Sequence, residues 1–353
     1  MLPPRLVSLG FSPAWATRYA AAQVPLILAA RVIGEQRGWY NLGTEAGDGL
    51  ATISGLLRNG VRLAESERPA VGDWVALRPQ EAGAPPWPRQ IEAVLPRQTL
   101  IVRRTAGRSL KQQILASNVD WALVVVALSE PFSLRRLERF VAIVRDGGVQ
   151  PVVLLSKSDC LVDAQATAAT LVAAQGAVGE APVHLLSVRA GTGLAALAPY
   201  LQPPATLVLL GTSGAGKTTL LNHWLGRDQY TTGAVQADGR GRHTTRARQL
   251  AILPSVAVVI DTPGLREIGL HSADEGVAAA FADIEALAQH CRFNDCAHAA
   301  EPGCAISAAV VSGALAAGRL DSYQRLRAEC APGTAAIRPP PPGSRRRPPP
   351  RRS

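Results

Sequence analysis

The sequence predicts a multi-domain chain: an N-terminal β-barrel, a central α/β domain on a doubly wound parallel sheet, and a C-terminal helical segment built round a metal. Three observations carry this. Short β-rich runs punctuated by Gly, Pro, Asp and Asn fill residues 29 to about 100. Buried strand runs alternate with helical patterns from 121 to 261. Three Cys and a His crowd into residues 291–304. The expected divisions are an arm (1–28), the barrel (29–102), the α/β domain (103–272), the metal-bearing helical domain (273–335) and a disordered Pro/Arg tail (336–353).

The chain has 353 residues, enough for two or three domains that each bury a core. Its net charge is +10, but "RPPPPGSRRRPPPRRS" (338–353) holds six Arg and no acid. The remainder carries only +4, so the body is mildly basic and the tail composition is that of a disordered segment. A basic excess favours polyanionic partners. No apolar run reaches the ~18 residues that span a bilayer. The N-terminus lacks the apolar core and cleavage site of a signal peptide. With five Cys, three of them clustered with a His, the reading is a metal site in a reducing, cytoplasmic setting and no membrane association.

The arm, residues 1–28, reads as loosely packed. The runs "ARVIGEQRGWYNL", "LATISGLLR", "DWVALRP" and "QIEAVLP" are the barrel strands. Periodicity alone does not give the barrel type. A basic linker is expected over 103–120. "WALVVVALS" then reads as a buried strand. "LRRLERFVAIVRDG" reads as a helix, with Leu134, Leu137, Phe140, Val141 and Val144 on one face. "QPVVLLSKSD" is a buried strand ending in a polar turn. An Ala-rich helix (about 162–176), the strand "APVHLLSV", a short helix and the strand "ATLVLLG" follow. Beyond a Gly/Arg/Thr-rich loop (226–247) come the strands "RQLAILP" and "VAVVIDT". Residues 275–335 give helical pieces.

After "ATLVLLG" stands "GTSGAGKTT", Gly211 to Thr219. Gly211, Thr212, Ser213, Gly214, Ala215 and Gly216 can turn backbone N–H groups inward round phosphate oxygens. The following helix adds its positive end. Lys217 reaches the β- and γ-phosphates, and Thr218 can ligand Mg²⁺, beside Thr219. A strand before and a helix after make an incidental Gly-rich turn the weaker reading. Downstream, "VVIDTPG" ends a strand at Asp261, a carboxylate that can hold Mg²⁺ through water, and the Gly264 N–H can meet the γ-phosphate. In "GRGRHTTRAR" between them, Thr244 or Thr245 can complete the Mg²⁺ shell. The sequence does not choose between the two, and the plainer reading of the loop is a basic surface segment.

A base-selective nucleotide site also needs a strand-end loop that reads the purine. Nothing after Gly264 supplies one. Upstream, "LLSKSD" places Ser156, Lys157, Ser158 and Asp159 at a strand end, and "LLSVRAGTGL" places Ser187 at the next. Asp159 can accept from guanine N1 and N2. S-K-x-D alone is a weak signal. With a second strand ending in Ser and a phosphate loop after it, the order becomes base loop, second base loop, P-loop, switch loops. That is a GTPase domain circularly permuted. A site made by strand ends meeting at one sheet edge survives such a cut.

These motifs resemble the circularly permuted GTPases. With the barrel before and the Cys/His cluster after, the chain is similar to the RsgA family of small ribosomal subunit biogenesis GTPases. The resemblance rests on "VGDWVAL" (71–77), "QQILASNVD" (112–120), "LSKSD" (155–159), "GTSGAGKTTLLN" (211–222), "GRGRHTT" (239–245), "DTPGLREIGL" (261–270) and "CRFNDCAHAAEPGC" (291–304). It implies an OB-fold barrel, a permuted GTPase domain and a zinc-binding helical domain. It further implies ribosome-stimulated hydrolysis of GTP to GDP during late 30S maturation, with 16S rRNA as a contact and a monomeric, cytoplasmic protein. Ser156 stands where GTPases usually carry Asn: one hydroxyl remains to tie the base loop to the P-loop, and an amide donor and acceptor are lost. Leu265 stands where Ras-like enzymes carry a water-orienting Gln. The resemblance passes that role to His243, whose other readings are RNA contact or plain solvation. With Leu265 in that place, a nucleotide-gated RNA-binding module with negligible hydrolysis is the alternative function.

The spacing C-x4-C-x-H-x5-C gives Cys291, Cys296, His298 and Cys304. Three thiolates and an imidazole suit a closed tetrahedral Zn²⁺ site with a structural role. Buried free cysteines are the other reading. Cys160 and Cys330 fall outside the cluster and read as small apolar residues. On the barrel, Arg37, Trp39, Tyr40, Arg58 and Arg62 are candidate RNA contacts, although Trp39 or Trp74 fits a core position equally well.

Overall fold

The computed structural model describes residues 2–36, 38–55, 57, 67–81, 83–104, 112–129, 133–161, 163–226, 249–261, 277–278, 280–293, 296–298 and 301–330. The expected arm is well packed. Helices α1 (Pro4–Ser8) and α2 (Pro13–Ala21) each open on a proline, whose fixed φ suits a first helical position. They bury Leu6, Leu9, Phe11, Trp15 and Tyr19 against Trp74, Ala76 and Leu95. Phe11 meets Trp74 edge to face at 5.0 Å. Two short segments spaced by Gly10 carry too little periodicity to advertise this, but five large apolar side chains in nineteen residues cannot be left in water cheaply.

The barrel consists of β1 (Ala29–Gln36), β2 (Trp39–Thr44), β3 (Gly47–Ile53), β4 (Trp74–Leu77) and β5 (Arg89–Val94). Its order is β1-β2-β3-β5-β4, and β4 closes onto β1 with Ala30 opposite Val75. All these pairings are antiparallel except β3 with β5. A five-stranded Greek-key closure of this kind is the OB type. Alternate residues Val32, Tyr40, Leu42, Ala51, Val75, Leu77 and Ile91 fill it.

Residues 103–120, expected to be a linker, contribute instead to a strand pair. β6 (Leu100–Arg104) runs antiparallel to β7 (Gln112–Ser117), with Ile101 opposite Ala116. Ile101, Leu115 and Ala116 are buried in the main core. The basic residues between them hid a short apolar alternation.

The central sheet holds β8 (Trp121–Ala127), β9 (Gln150–Ser156), β10 (Val183–Leu185), β11 (Thr206–Leu210), β12 (Gln249–Ile252) and β13 (Val258–Asp261), in the order β10-β9-β8-β11-β13-β12. The parallel expectation holds except at β12, which pairs antiparallel with β13. Only a short turn, Leu253 to Ala257, joins those two strands, too little chain for a parallel crossover. Residues alternate between faces. Val124, Val153, Leu155, Val208, Leu210 and Ile260 pack under α3 (Leu134–Asp146) and α4 (Ala164–Val178). Leu123, Val125, Val152, Leu154, Leu207, Leu209 and Val259 pack under the 3-10 segment Leu194–Leu201 and α5 (Lys217–Leu225). Burial on both faces is why these strands read as unbroken apolar runs.

β12 also meets β1 of the barrel, Gly34 opposite Gln249. Beside this seam Arg31 is 1% exposed. Its guanidinium donates to the carbonyls of Leu9, Gly72 (3.2 Å) and Asn118 (3.3 Å), so one side chain joins the N-terminal helices, barrel and α/β domain. Burial pulls its pKa down to about 10, opposed by Asp120 and Asp73. At the other end, α6 (Ala282–Ala288), α7 (Ala305–Val311) and α8 (Ala317–Cys330) share a continuous core with α3 through Phe281, Ile284, Ile306, Tyr323 and Leu326. Among the described residues no helix is long and apolar enough to cross a membrane.

Candidate nucleotide and metal sites

Parallel strands bring their carboxyl ends to one edge of the sheet, the place where α/β folds gather ligands. β9 ends there at Ser156, β11 at Leu210 and β13 at Asp261. The phosphate-loop residues leave β11 through Gly211, at φ +141°, where a Cβ would lie 2.2 Å from the Val125 carbonyl oxygen. Only glycine can turn there. Gly216, also left-handed at φ +95°, caps α5 at its N-terminus. The loop therefore runs directly into the positive N-terminal end of α5.

Lys217, the first residue of α5, is 6% exposed. Its Nζ donates to the Gly211 and Thr212 carbonyls at 2.9 and 2.7 Å, so the ammonium folds across the loop. Burial lowers its pKa, and the nearby Asp261 carboxylate works against that. Asp261 is 5% exposed; burial raises its pKa and Lys217 opposes the rise. Two buried, oppositely charged groups thus face one another beneath the loop. Thr218, half-buried in the same turn, adds a hydroxyl. A carboxylate and a hydroxyl are hard oxygen donors of the kind Mg²⁺ takes.

At the neighbouring strand end Lys157 adopts a left-handed conformation (φ 59°) and starts the 3-10 turn Ser158–Cys160, which carries Asp159 into solvent. The hydroxyl of Ser187, beyond β10, donates to Asp159 Oδ1 at 2.5 Å and accepts from the Ala190 N–H at 3.1 Å. The Ser187 bond is the leading cause that lowers the Asp159 pKa, so the carboxylate is fixed in orientation and charged. Ser156 is buried. Its hydroxyl donates to the Ala215 carbonyl in the phosphate loop at 2.6 Å and lies 3.2 Å from the Val126 carbonyl oxygen. The S-K-x-D turn and the phosphate loop are therefore tied together by a single hydroxyl.

Some sequence expectations fall elsewhere. Cys160 is exposed beside Asp159, not packed as a small apolar residue: the 3-10 turn that presents Asp159 presents its neighbour too. Tyr40 is barrel core at 2% exposure, whereas Trp74, at 0%, is buried on the outer face of β4 under the N-terminal helices, because Val75 and Leu77 take the inward positions of that strand. Trp39 stands outside at 43%. Arg37, Arg58, Arg62, His243, Thr244, Thr245, Gly264 and the tail 336–353 lie outside the described residues. Sequence reasoning missed the end of β8 and the start of α3. Val126, Ala127, Ser133, Arg136 and Phe140 line a small cavity against Thr212. The adjacency of β8 to β11 puts them there, and no local motif marks them.

The ligand atoms of Cys291, Cys296, His298 and Cys304 all lie within 4.8 Å of one another. His298 Nδ1 is 3.6 Å from Cys291 Sγ and 3.7 Å from Cys304 Sγ, and the two sulfurs are 4.0 Å apart. A tetrahedron with Zn–S bonds of about 2.3 Å puts sulfurs about 3.8 Å apart, so the donor set fits a closed zinc site. His298 and Cys304 are buried, and Gln324 of α8 donates to the His298 carbonyl at 2.9 Å, anchoring the cluster to the helices.

A P-loop, an Asp-bearing base turn placed before it in the chain and a strand-end Asp placed after it define a circularly permuted P-loop GTPase. The RsgA GTPase family matches residues 94–271. A small ribosomal subunit biogenesis GTPase RsgA from Opitutus terrae is 43% identical over 95% of this chain and 92% of its own length. One of the same description from Streptomyces avermitilis is 43% identical over 92% of this chain and 85% of its own. The chain belongs to the RsgA GTPase family. In fold it is similar to YjeQ from Thermotoga maritima (TM-score 0.61, 24% identity, 86% of this chain and 98% of that one). It is likewise similar to YloQ, described as a circularly permuted GTPase (TM-score 0.59, 24% identity, 86% of this chain and 94% of that one).

Proposed function

We propose that the chain hydrolyses GTP to GDP and phosphate as a late assembly factor of the small ribosomal subunit, acting as a monomer in the cytoplasm and touching 16S rRNA. The observation that carries this is the meeting of Asp159, Lys217 and Asp261, from three strand ends, at one sheet edge. The names of the relatives supply the ribosomal partner.

In this reading Asp159, steadied by Ser187, accepts from guanine N1 and N2, with Lys157 and Ser158 flanking the base. The amides of Gly211 to Thr219 hold the phosphates, and Lys217 moves from its loop carbonyls to the β- and γ-oxygens. Thr218, Asp261 and Thr245 (or Thr244) would hold Mg²⁺, which neutralises charge developing on the transferred phosphoryl group. Gly264 binds the γ-phosphate. Leu265 offers no polar group to a water, so intrinsic turnover is slow and His243 orients the nucleophile when the protein is on the ribosome. Cys291, Cys296, His298 and Cys304 would hold one structural Zn²⁺. The functional units are those expected above: 1–28, 29–102, 103–272, 273–335 and 336–353.

The deciding experiment is turnover of GTP and of ATP with and without 30S subunits. GTP-selective hydrolysis that rises with subunits is the expected result. Tight guanine-nucleotide binding without stimulated hydrolysis would favour the RNA-binding module that Leu265 suggests, and ATP turnover would overturn both readings.

A further inference from the structure

Ser156 carries a consequence for base recognition. A serine hydroxyl has one proton. Here two carbonyl oxygens surround it, Ala215 at 2.6 Å and Val126 at 3.2 Å, and the side chain is 4% exposed. The proton is spent inside the protein. Guanine presents two different edges: N1–H and N2–H₂ are donors suited to a carboxylate, whereas N7 is an acceptor and needs a donor. Asp159, held by Ser187, can serve only the first edge. At the strand end between Asp159 and the phosphate loop stands a hydroxyl that has nothing left to donate.

We infer that this chain reads a guanine nucleotide through its N1/N2 edge alone and leaves the purine N7 unread, with Ser156 as the residue that sets this permissiveness. The inference rests on the GTP-binding reading of the site. An amide at position 156 would behave differently. It has two N–H donors, so one can hold the Ala215 carbonyl while the other remains for the base. Ser156 thus keeps the tie between the two halves of the site and gives up a base contact, and nucleotides altered at N7 should be accepted as well as GDP.

The test is calorimetric titration of the full chain with GDP, 7-deaza-GDP and ADP. The wild type is expected to bind GDP and 7-deaza-GDP with dissociation constants within about twofold, and ADP far more weakly. Ser156→Asn is expected to separate GDP from 7-deaza-GDP by about fivefold, the worth of one hydrogen bond. A wild-type preference for GDP of fivefold or more overturns the inference, whatever the variant does, because N7 is then being read. A Ser156→Asn protein that binds both nucleotides without separating them also overturns it, since position 156 would then not govern that edge. If Ser156→Asn fails to fold, the wild-type comparison alone decides. A wild type that binds neither guanine nucleotide removes the GTPase reading itself. That result is distinct from equal, measurable binding of the two.

Discussion

Arg319 of α8 donates from Nη1 to Oε1 of Glu138 on α3 at 3.0 Å, with only 12% and 3% of the two side chains exposed. The same guanidinium donates to both carboxylate oxygens of Asp283 at 2.7 Å, to the Ala177 carbonyl of α4 and to the Ala280 carbonyl. It lies 4.7 Å above the Phe281 ring. One arginine therefore fastens the helices around the Cys/His cluster to the α/β domain.

Removing one member of a buried pair strands the other charge. Arg319→Ala is expected to lower the unfolding free energy by about 3–5 kcal/mol. Glu138→Gln, which keeps an acceptor, should cost about 1 kcal/mol. The pH dependence has a definite sign. Burial raises the Glu138 pKa, with Ser322 and Arg319 opposing it. A raised folded pKa gives stability that is present in acid and lost as pH rises through it. Without Arg319 that pKa climbs further, so the deficit of the variant should shrink at about pH 5 and be largest near neutrality. Urea unfolding of both proteins at the two pH values checks this, and a pH-independent deficit would count against the stranded-charge account.

The Lys217–Asp261 arrangement predicts how Mg²⁺ binding fails in acid. Burial is the larger influence on Asp261 and raises its pKa. The ion needs the carboxylate charged, so protonation competes with it at a higher pH than at an exposed aspartate. The Mg²⁺-dependent gain in GTP-analogue affinity should decline as pH falls, beginning above the usual carboxylate range. Fluorescent-analogue titrations with and without Mg²⁺ measure it. Asp261→Asn should show no such gain at any pH. A gain that held flat to pH 5 would mean that Asp261 is not a magnesium residue.

The chemistry of the site was legible in the sequence because each part is local. "GTSGAGKT" specifies its own turn, and S-K-x-D and the Cys/His spacing lie within a few residues. What joins the parts was not legible. The Ser187–Asp159 bond spans 28 positions, the Arg319–Glu138 pair 181, and the Arg31–Asn118 contact 87. Such contacts follow from sheet order and helix docking, which no short window encodes. The N-terminal helices were missed for a related reason: Phe11 and Trp15 acquire a partner only when β4 brings Trp74 beneath them. β6 and β7 were missed because their apolar residues are few and their charged ones conspicuous.

Cys304 has two separable duties. It is one of the four clustered donors, and its sulfur accepts the Ser307 N–H at 3.4 Å at the start of α7. A serine oxygen can keep the helix cap but is a poor ligand for zinc, whereas alanine loses both. Cys304→Ser is expected to lose the metal, measured as zinc per chain by mass spectrometry, and to melt early with a weakened helical signal. Cys304→Ala should lose the same metal and about 1 kcal/mol more. Chelation of the wild type should bring its melting curve close to that of the serine variant, because both then lack the cross-link that draws residues 291 to 304 together. Retention of one zinc per chain by Cys304→Ser, with an unchanged melting curve, would show that the cluster does not hold the metal.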